Sequence, residues 1–171
     1  MAGTDIRKQV DLLLSETKTL TGVPEWTRGP RAGVEGQLRW SQALSISGEV
    51  TPMNILVDAY PRYGNPKFTI ILEVGIAVTR VEYAVDATHF NGVKHRPPDI
   101  SHGLIYGPHY HFWVDNRALA SAKKLPKFLK YARHMPTNVR GFPNTFRWLC
   151  GEANIICQDD VPDLPPSDLL V

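Results

Sequence analysis

Five of the six histidines lie between Asp86 and Arg117, in the stretch DATHFNGVKHRPPDISHGLIYGPHYHFWVDNR. Imidazole titrates near neutrality, with an unperturbed pKa of about 6.5, and is the commonest protein ligand for transition metals. Two of the five, His109 and His111, stand two residues apart in an apolar run that reaches Val114. In a strand such a pair shares one face, with Cβ atoms about 6.8 Å apart, while Tyr110 and Phe112 face the other way. A His-x-His face can hold a metal ion, or supply an acid and a base on either side of a phosphate. It can also be a solvent-facing strand without chemistry. Asp86, His89 and His95 are close enough in sequence to add ligands, or a carboxylate that fixes an imidazole tautomer. His102, between Ser101 and Gly103, reads as a surface turn, and His134 as a partner for carbonyls at a helix end.

Elements on either side must position these groups. Asn91, Gly92, Pro97, Pro98, Gly103, Gly107 and Pro108 interleave the histidines, so the stretch reads as a long polar loop between two β-like runs. Upstream, residues 4–20 place Ile6, Val10, Leu13, Leu14, Thr17 and Leu20 near helical spacing. Thr4 is the expected N-cap, Asp5 sits in the first turn, and Gly22 and Pro24 lie just past the end. Residues 21–36 read as a Gly-, Pro- and Arg-rich loop pinned to the core by Trp26. Four β-like runs follow at 37–47, 53–60, 67–74 and 76–87, separated by a turn at Pro61–Pro66 and by Gly75. Connections this short predict an antiparallel meander.

A fifth run covers 109–114. Leu125, Phe128, Leu129 and Ala132 then recur at helical spacing, and Pro126 fits the first turn of a helix starting near Leu125. Phe146, Leu149, Cys150 and Ala153 predict a further helix over 143–153. The expected architecture is α+β. It is a single domain over 1–156, with a twisted, mainly antiparallel sheet of about five strands packed by an N-terminal helix and two C-terminal helices. An acidic, proline-rich tail follows over 157–171.

Charge is unevenly placed. Between Arg117 and Arg147 there are eight basic residues and no acidic one, and beyond Arg147 the only charged side chains are Glu152, Asp159, Asp160, Asp163 and Asp168. Such a block suits an anionic partner, RNA more than DNA, with the tail able to compete for the same surface. Two imidazoles beside cations are suited to cleaving RNA through its own 2′-hydroxyl: one removes the proton, the other protonates the leaving oxygen, and a cation steadies the phosphorane. On this reading His109 and His111 are the acid–base pair, His95 assists and Asp86 orients. Arg96, Arg117, Lys123, Lys124, Lys127, Lys130 and Arg133 are the candidate nucleic-acid contacts, and no cofactor or metal is needed.

An Asp at a strand end (Asp86), then His95-Arg96-Pro97-Pro98, then Pro108-His109-Tyr110-His111-Phe112, resembles small bacterial proteins of the TumE toxin type over roughly residues 80–155. The resemblance implies a single α+β domain and a nuclease-like activity held in check by an antitoxin. The chain departs from the pattern in having Arg-Pro-Pro after His95, where those relatives carry Arg-Asn-Pro, and in its N-terminal helix and acidic tail.

Other classes are weighed against this one. A non-enzymatic binding protein, such as a phage- or plasmid-borne inhibitor of a host nucleic-acid-binding protein, needs only an exposed patch. A metal-dependent hydrolase would build on His-x-His. The sequence holds no P-loop, GxSxG, dinucleotide fingerprint or kinase motif. Cys150 and Cys157 are expected to be reduced thiols. No apolar run approaches the ~20 residues that span a bilayer, and the N-terminus lacks a signal-peptide pattern. The expectation is a cytoplasmic protein without a membrane partner, with a homodimer left open.

Overall fold

Alternating apolar residues along 38–60 and 67–83 build the centre of the molecule. The structure is a computed structural model that describes residues 5–22, 25–28, 37–60, 67–157, 161 and 164. In chain order the elements are α1 (Ile6–Ser15), β1 (Lys18–Leu20), β2 (Thr27–Arg28), β3 (Leu38–Ile46), β4 (Glu49–Tyr60), β5 (Lys67–Glu73), β6 (Ala77–Tyr83), β7 (Thr88–Asn91), β8 (Gly103–Tyr106), β9 (His109–His111), α2 (Trp113–Asn116), β10 (Arg133–His134), α3 (Gly141–Glu152) and β11 (Ile155–Ile156). A 3-10 turn, Arg117–Leu119, follows α2.

Strands β3 to β6 form the expected antiparallel meander, and the whole sheet runs β10-β9-β6-β5-β4-β3-β1-β11, with β2 also pairing with β3. That is nine strands, more than the five expected, because short segments at both edges join the ladder. Among the described residues only β1 and β11 pair in parallel, so the sheet is mixed. The first hairpin is tighter than predicted. Ser47 and Gly48 both take positive φ, and Ile46 pairs directly with Glu49, so β4 begins at the turn.

One face of the sheet is core. Met53, Ile55, Val57 and Ala59 of β4, and Phe68, Ile70 and Leu72 of β5, are at most 1% exposed. Phe142, Phe146 and Leu149 of α3 and Val10 of α1 belong to the same buried cluster, and Trp26 packs against Phe142. The opposite face carries half-buried, mostly polar residues: Asp58, Thr69, Glu73, Arg80 and Glu82.

Several boundaries differ from the sequence reading, each for a local reason. Asp5, expected in the first turn, is instead the N-cap of α1, its side chain accepting from the Arg7 amide at 3.0 Å. Thr4 and the Pro61–Pro66 turn lie outside the described residues. The helix stops at Ser15 because Lys18 turns back. Its fully buried ammonium donates to the carbonyls of Leu13, Leu14 and Glu16 at 2.8, 3.1 and 2.5 Å. Burial pulls this lysine's pKa down to about 8.

The helix expected from Leu125 to Arg133 is absent. Two buried asparagines, Asn91 and Asn116, capture the backbone there in an extended form. The Asn116 side chain accepts from the amides of Lys130 and Tyr131 and donates to the carbonyls of Phe112 and Tyr131. The Asn91 side chain accepts from the Ala132 amide and donates to the carbonyls of Ala132 and Ser101. These bonds satisfy the groups a helix would have satisfied, and Tyr131 and Ala132 become buried while Phe128 stays exposed. One helix, α3, therefore stands at the C-terminal end, and α2 is a single turn. Cys150 and Cys157, expected as free thiols, form a disulfide with a Cα–Cα distance of 6.3 Å. The tight turn after α3 and the short β11 bring the two sulfurs together, a proximity that their sequence spacing does not disclose. Val161 and Leu164 pack against the core. Among the described residues no helix is long and apolar enough to cross a membrane.

Candidate metal centre

Strand β9 places His109 and His111 on the polar side of the sheet, and Tyr110 and Phe112 against Trp148 on the other side. Its register with β6 sets Glu82 opposite His109 and Arg80 opposite His111. What was expected to be a loop folds over this face as a two-stranded ribbon, β7 paired with β8. Along β7, Thr88 and Phe90 point outward and His89 inward. His89 thus meets the other two rings, with centroids 4.6 Å from His111 and 5.6 Å from His109, while His109 and His111 are 5.3 Å apart. One ring nitrogen from each of the three lies within 4.8 Å of the others.

Backbone carbonyls orient the rings. His109 Nδ1 donates to the Gly107 carbonyl at 3.0 Å, and His89 Nε2 to the Lys130 carbonyl at 2.9 Å. His111 lies beside the Tyr131 backbone. Two buried ring nitrogens, His109 Nε2 and His111 Nδ1, are left without a hydrogen-bond partner. Anchoring one imidazole nitrogen and leaving the other bare is how metal-binding histidines are prepared.

Burial decides their charge. His109 is fully buried and His111 is 2% exposed. Desolvation lowers the pKa of all three histidines, and for His111, where the other two rings add repulsion, it falls to about 3. At neutral pH the triad is therefore three neutral imidazoles, two of which, His109 and His111, present a bare nitrogen. Glu82, a quarter exposed, borders it, with Oε2 2.8 Å from His109 Nε2 and Oε1 paired with the Arg80 guanidinium.

Of the sequence candidates, His109 and His111 come together, with His89 as third member. His95 lies in an exposed turn at φ 61° and Asp86 in an exposed turn; neither belongs to the triad. His134 pairs by its backbone with His109, and its side chain is exposed. The charged candidates divide. Arg117 is held by Asp11 through three hydrogen bonds, and Arg133 is gripped by the buried Asp115 and by Asp99, which hold its pKa above the usual range. Arg96 donates to the Pro97 carbonyl. Lys123, Lys124, Lys127 and Lys130 remain exposed on the segment whose backbone anchors His89. The sequence reading missed Arg80 and Glu82, although Arg-x-Glu has the same two-residue spacing as His-x-His and pairs with it across the ladder. It also missed Asn91 and Asn116, which carry no signal of their own. No protein family, curated protein or solved structure matches the chain.

Proposed function

We propose that the protein is a metal-dependent hydrolase whose divalent transition-metal ion, zinc or manganese, is held by His89, His109 and His111. The observation that carries this reading is the convergence of three neutral imidazoles, two of them presenting a buried, unpartnered nitrogen. Three histidines with further room on the ion are the donor set of catalytic rather than closed structural sites, and such an ion makes a nucleophile of bound water near neutral pH. The ligand nitrogens lie within 4.8 Å, whereas nitrogens sharing one tetrahedral ion are about 3.3 Å apart, a contraction that ring rotation supplies.

The metal-free acid–base scheme needs an imidazolium at work, and burial of His111 opposes one at neutral pH. The proposed substrate is a phosphate ester, RNA first. Four exposed lysines on the segment that anchors His89 support an anionic substrate, and the resemblance to TumE-type toxins points the same way. A second reading, a protein-binding inhibitor, is favoured by the outer face of the β7–β8 ribbon, where Phe90, Leu104 and Tyr106 are more than half exposed.

One set of measurements separates these readings. Purified protein is stripped of metal, titrated with zinc and with manganese, and incubated with total RNA in the presence and absence of chelator. The expected outcome is one ion per chain, cleavage that chelation stops, and loss of both in His111→Ala. Cleavage that survives chelation returns the acid–base pair. Absence of both metal and cleavage leaves the inhibitor.

A further inference from the structure

Glu82 is placed oddly for an ordinary ion-pair partner. Its Oε2 is 2.8 Å from His109 Nε2, yet that nitrogen has no hydrogen-bond partner, so the two atoms are close without being aligned on one another. The carbonyl of Gly107 can only accept, so His109 Nδ1 carries a proton, and Nε2 is the ring nitrogen turned toward Glu82. A ring nitrogen and a carboxylate oxygen this close, with no hydrogen bond aligned between them, are placed to share a cation. The other carboxylate oxygen is already occupied: Oε1 is paired with Arg80, as the second oxygen of a ligating carboxylate usually is by some neighbour. The register of β6 against β9 fixes this arrangement, because Glu82 is directly opposite His109.

We propose that Glu82 is a fourth protein ligand of the ion, giving a three-histidine, one-carboxylate centre. This rests on the metal reading above. Neighbouring nitrogen and oxygen ligands of one five-coordinate ion lie about 3.0–3.3 Å apart, so the pair needs to open by only a few tenths of an ångström and the ion keeps a place beside its four protein ligands. Glu82 is a quarter exposed, against the fully buried His109 and His111, and marks a side from which water or a phosphate oxygen reaches the ion as a fifth ligand.

The test is a Co2+ titration of the full chain, followed by its visible absorption, which reports coordination number and donor type, with Zn2+ competition for affinity. Glu82→Gln and Glu82→Ala are compared with Glu73→Gln, a carboxylate on the same sheet face outside the site, and folding of each variant is checked by thermal unfolding in chelator. Expected are one Co2+ per wild-type chain, an affinity about 10- to 100-fold weaker with a changed spectrum in both Glu82 variants, and no change in Glu73→Gln. If the Glu82 variants bind with wild-type affinity and spectrum while His111→Ala does not bind, the proposal fails and the histidine centre stands. If the wild type binds no ion, both fail together.

Discussion

The meander β3–β6 and the segment from Ala84 to His134 are folded by different means. In the meander, side chains do the specifying. Apolar residues alternate, each strand pairs with its sequence neighbour, and a two-residue turn sets the register of the first hairpin. From Ala84 to His134 regular structure is sparse: a four-residue ribbon, a three-residue strand and one helical turn, stitched together by polar side chains bonded to backbone. Asn91 and Asn116 hold the segment before Arg133, Tyr131 reaches the Lys94 carbonyl, and Asp115 holds Arg133. All three histidines of the triad belong to this second region, and Glu82 and Arg80 belong to the meander beneath it. The meander supplies a rigid floor, and the stitched segment brings together rings from two strands, β7 and β9, that no single helix or strand could bring to one point.

If the division is real, the two regions should fail differently. The largest effect is expected in the core under the meander. Phe146 is fully buried against Trp40, and Phe146→Ala should destabilise the whole fold by about 3–5 kcal/mol. Chemical denaturation should show one shifted transition, with every probe affected alike. A loss confined to the site region would mean that the meander is not the scaffold.

Asn116→Ala is the matching break in the stitched region. It strands the buried amide and carbonyl of Tyr131 and the amide of Lys130, at about 1–3 kcal/mol for each group that water cannot reach. The expected loss is about 2–4 kcal/mol, felt locally. Hydrogen exchange should accelerate across 113–134 while β4 and β5 remain protected, and metal affinity should fall because the Lys130 carbonyl no longer orients His89. Uniform loss of protection in both regions would sink the comparison.

The same division explains how much could be read in advance. Period-2 alternation in 38–60 and 67–83 is a direct print of a half-buried sheet, so the meander was legible. His109 and His111 were legible as a facing pair because spacing alone puts them there. The 125–133 segment was misleading. Leu125, Phe128, Leu129 and Ala132 keep helical spacing, yet Asn91 and Asn116, 41 and 14 or 15 residues distant, offer its backbone better partners. Nothing local in the sequence announces a competitor at that range. The ribbon that carries His89 inward was hidden for a related reason. Its outer face bears Phe90, Leu104 and Tyr106, so the alternation that marks a strand is inverted relative to burial.

The smallest of the expected effects isolates the triad itself. His111 titrates near 3 in the fold, against an ordinary 6.5, because burial and its two neighbours disfavour the charged ring. A histidine whose pKa falls on folding binds fewer protons in the native state, so stability is complete above about pH 6.5 and is lost as pH falls toward the folded value. For His111 alone the loss between pH 8 and pH 5 is about 2 kcal/mol, and His89 and His109, shifted the same way, add to it. The ion-paired carboxylates, Asp11 and Asp99, also have lowered pKa values, but their contribution is lost only at more acidic pH, so the window between 5 and 6.5 belongs to the histidines. Denaturation midpoints measured in chelator across that window should fall steadily for the wild type and fall less for His111→Gln, which removes the titrating ring from the triad. A wild-type midpoint that stays level from pH 8 to pH 5 would mean that the rings are solvated or already charged. The neutral triad on which the metal reading depends would then have to be abandoned, with the meander beneath it untouched.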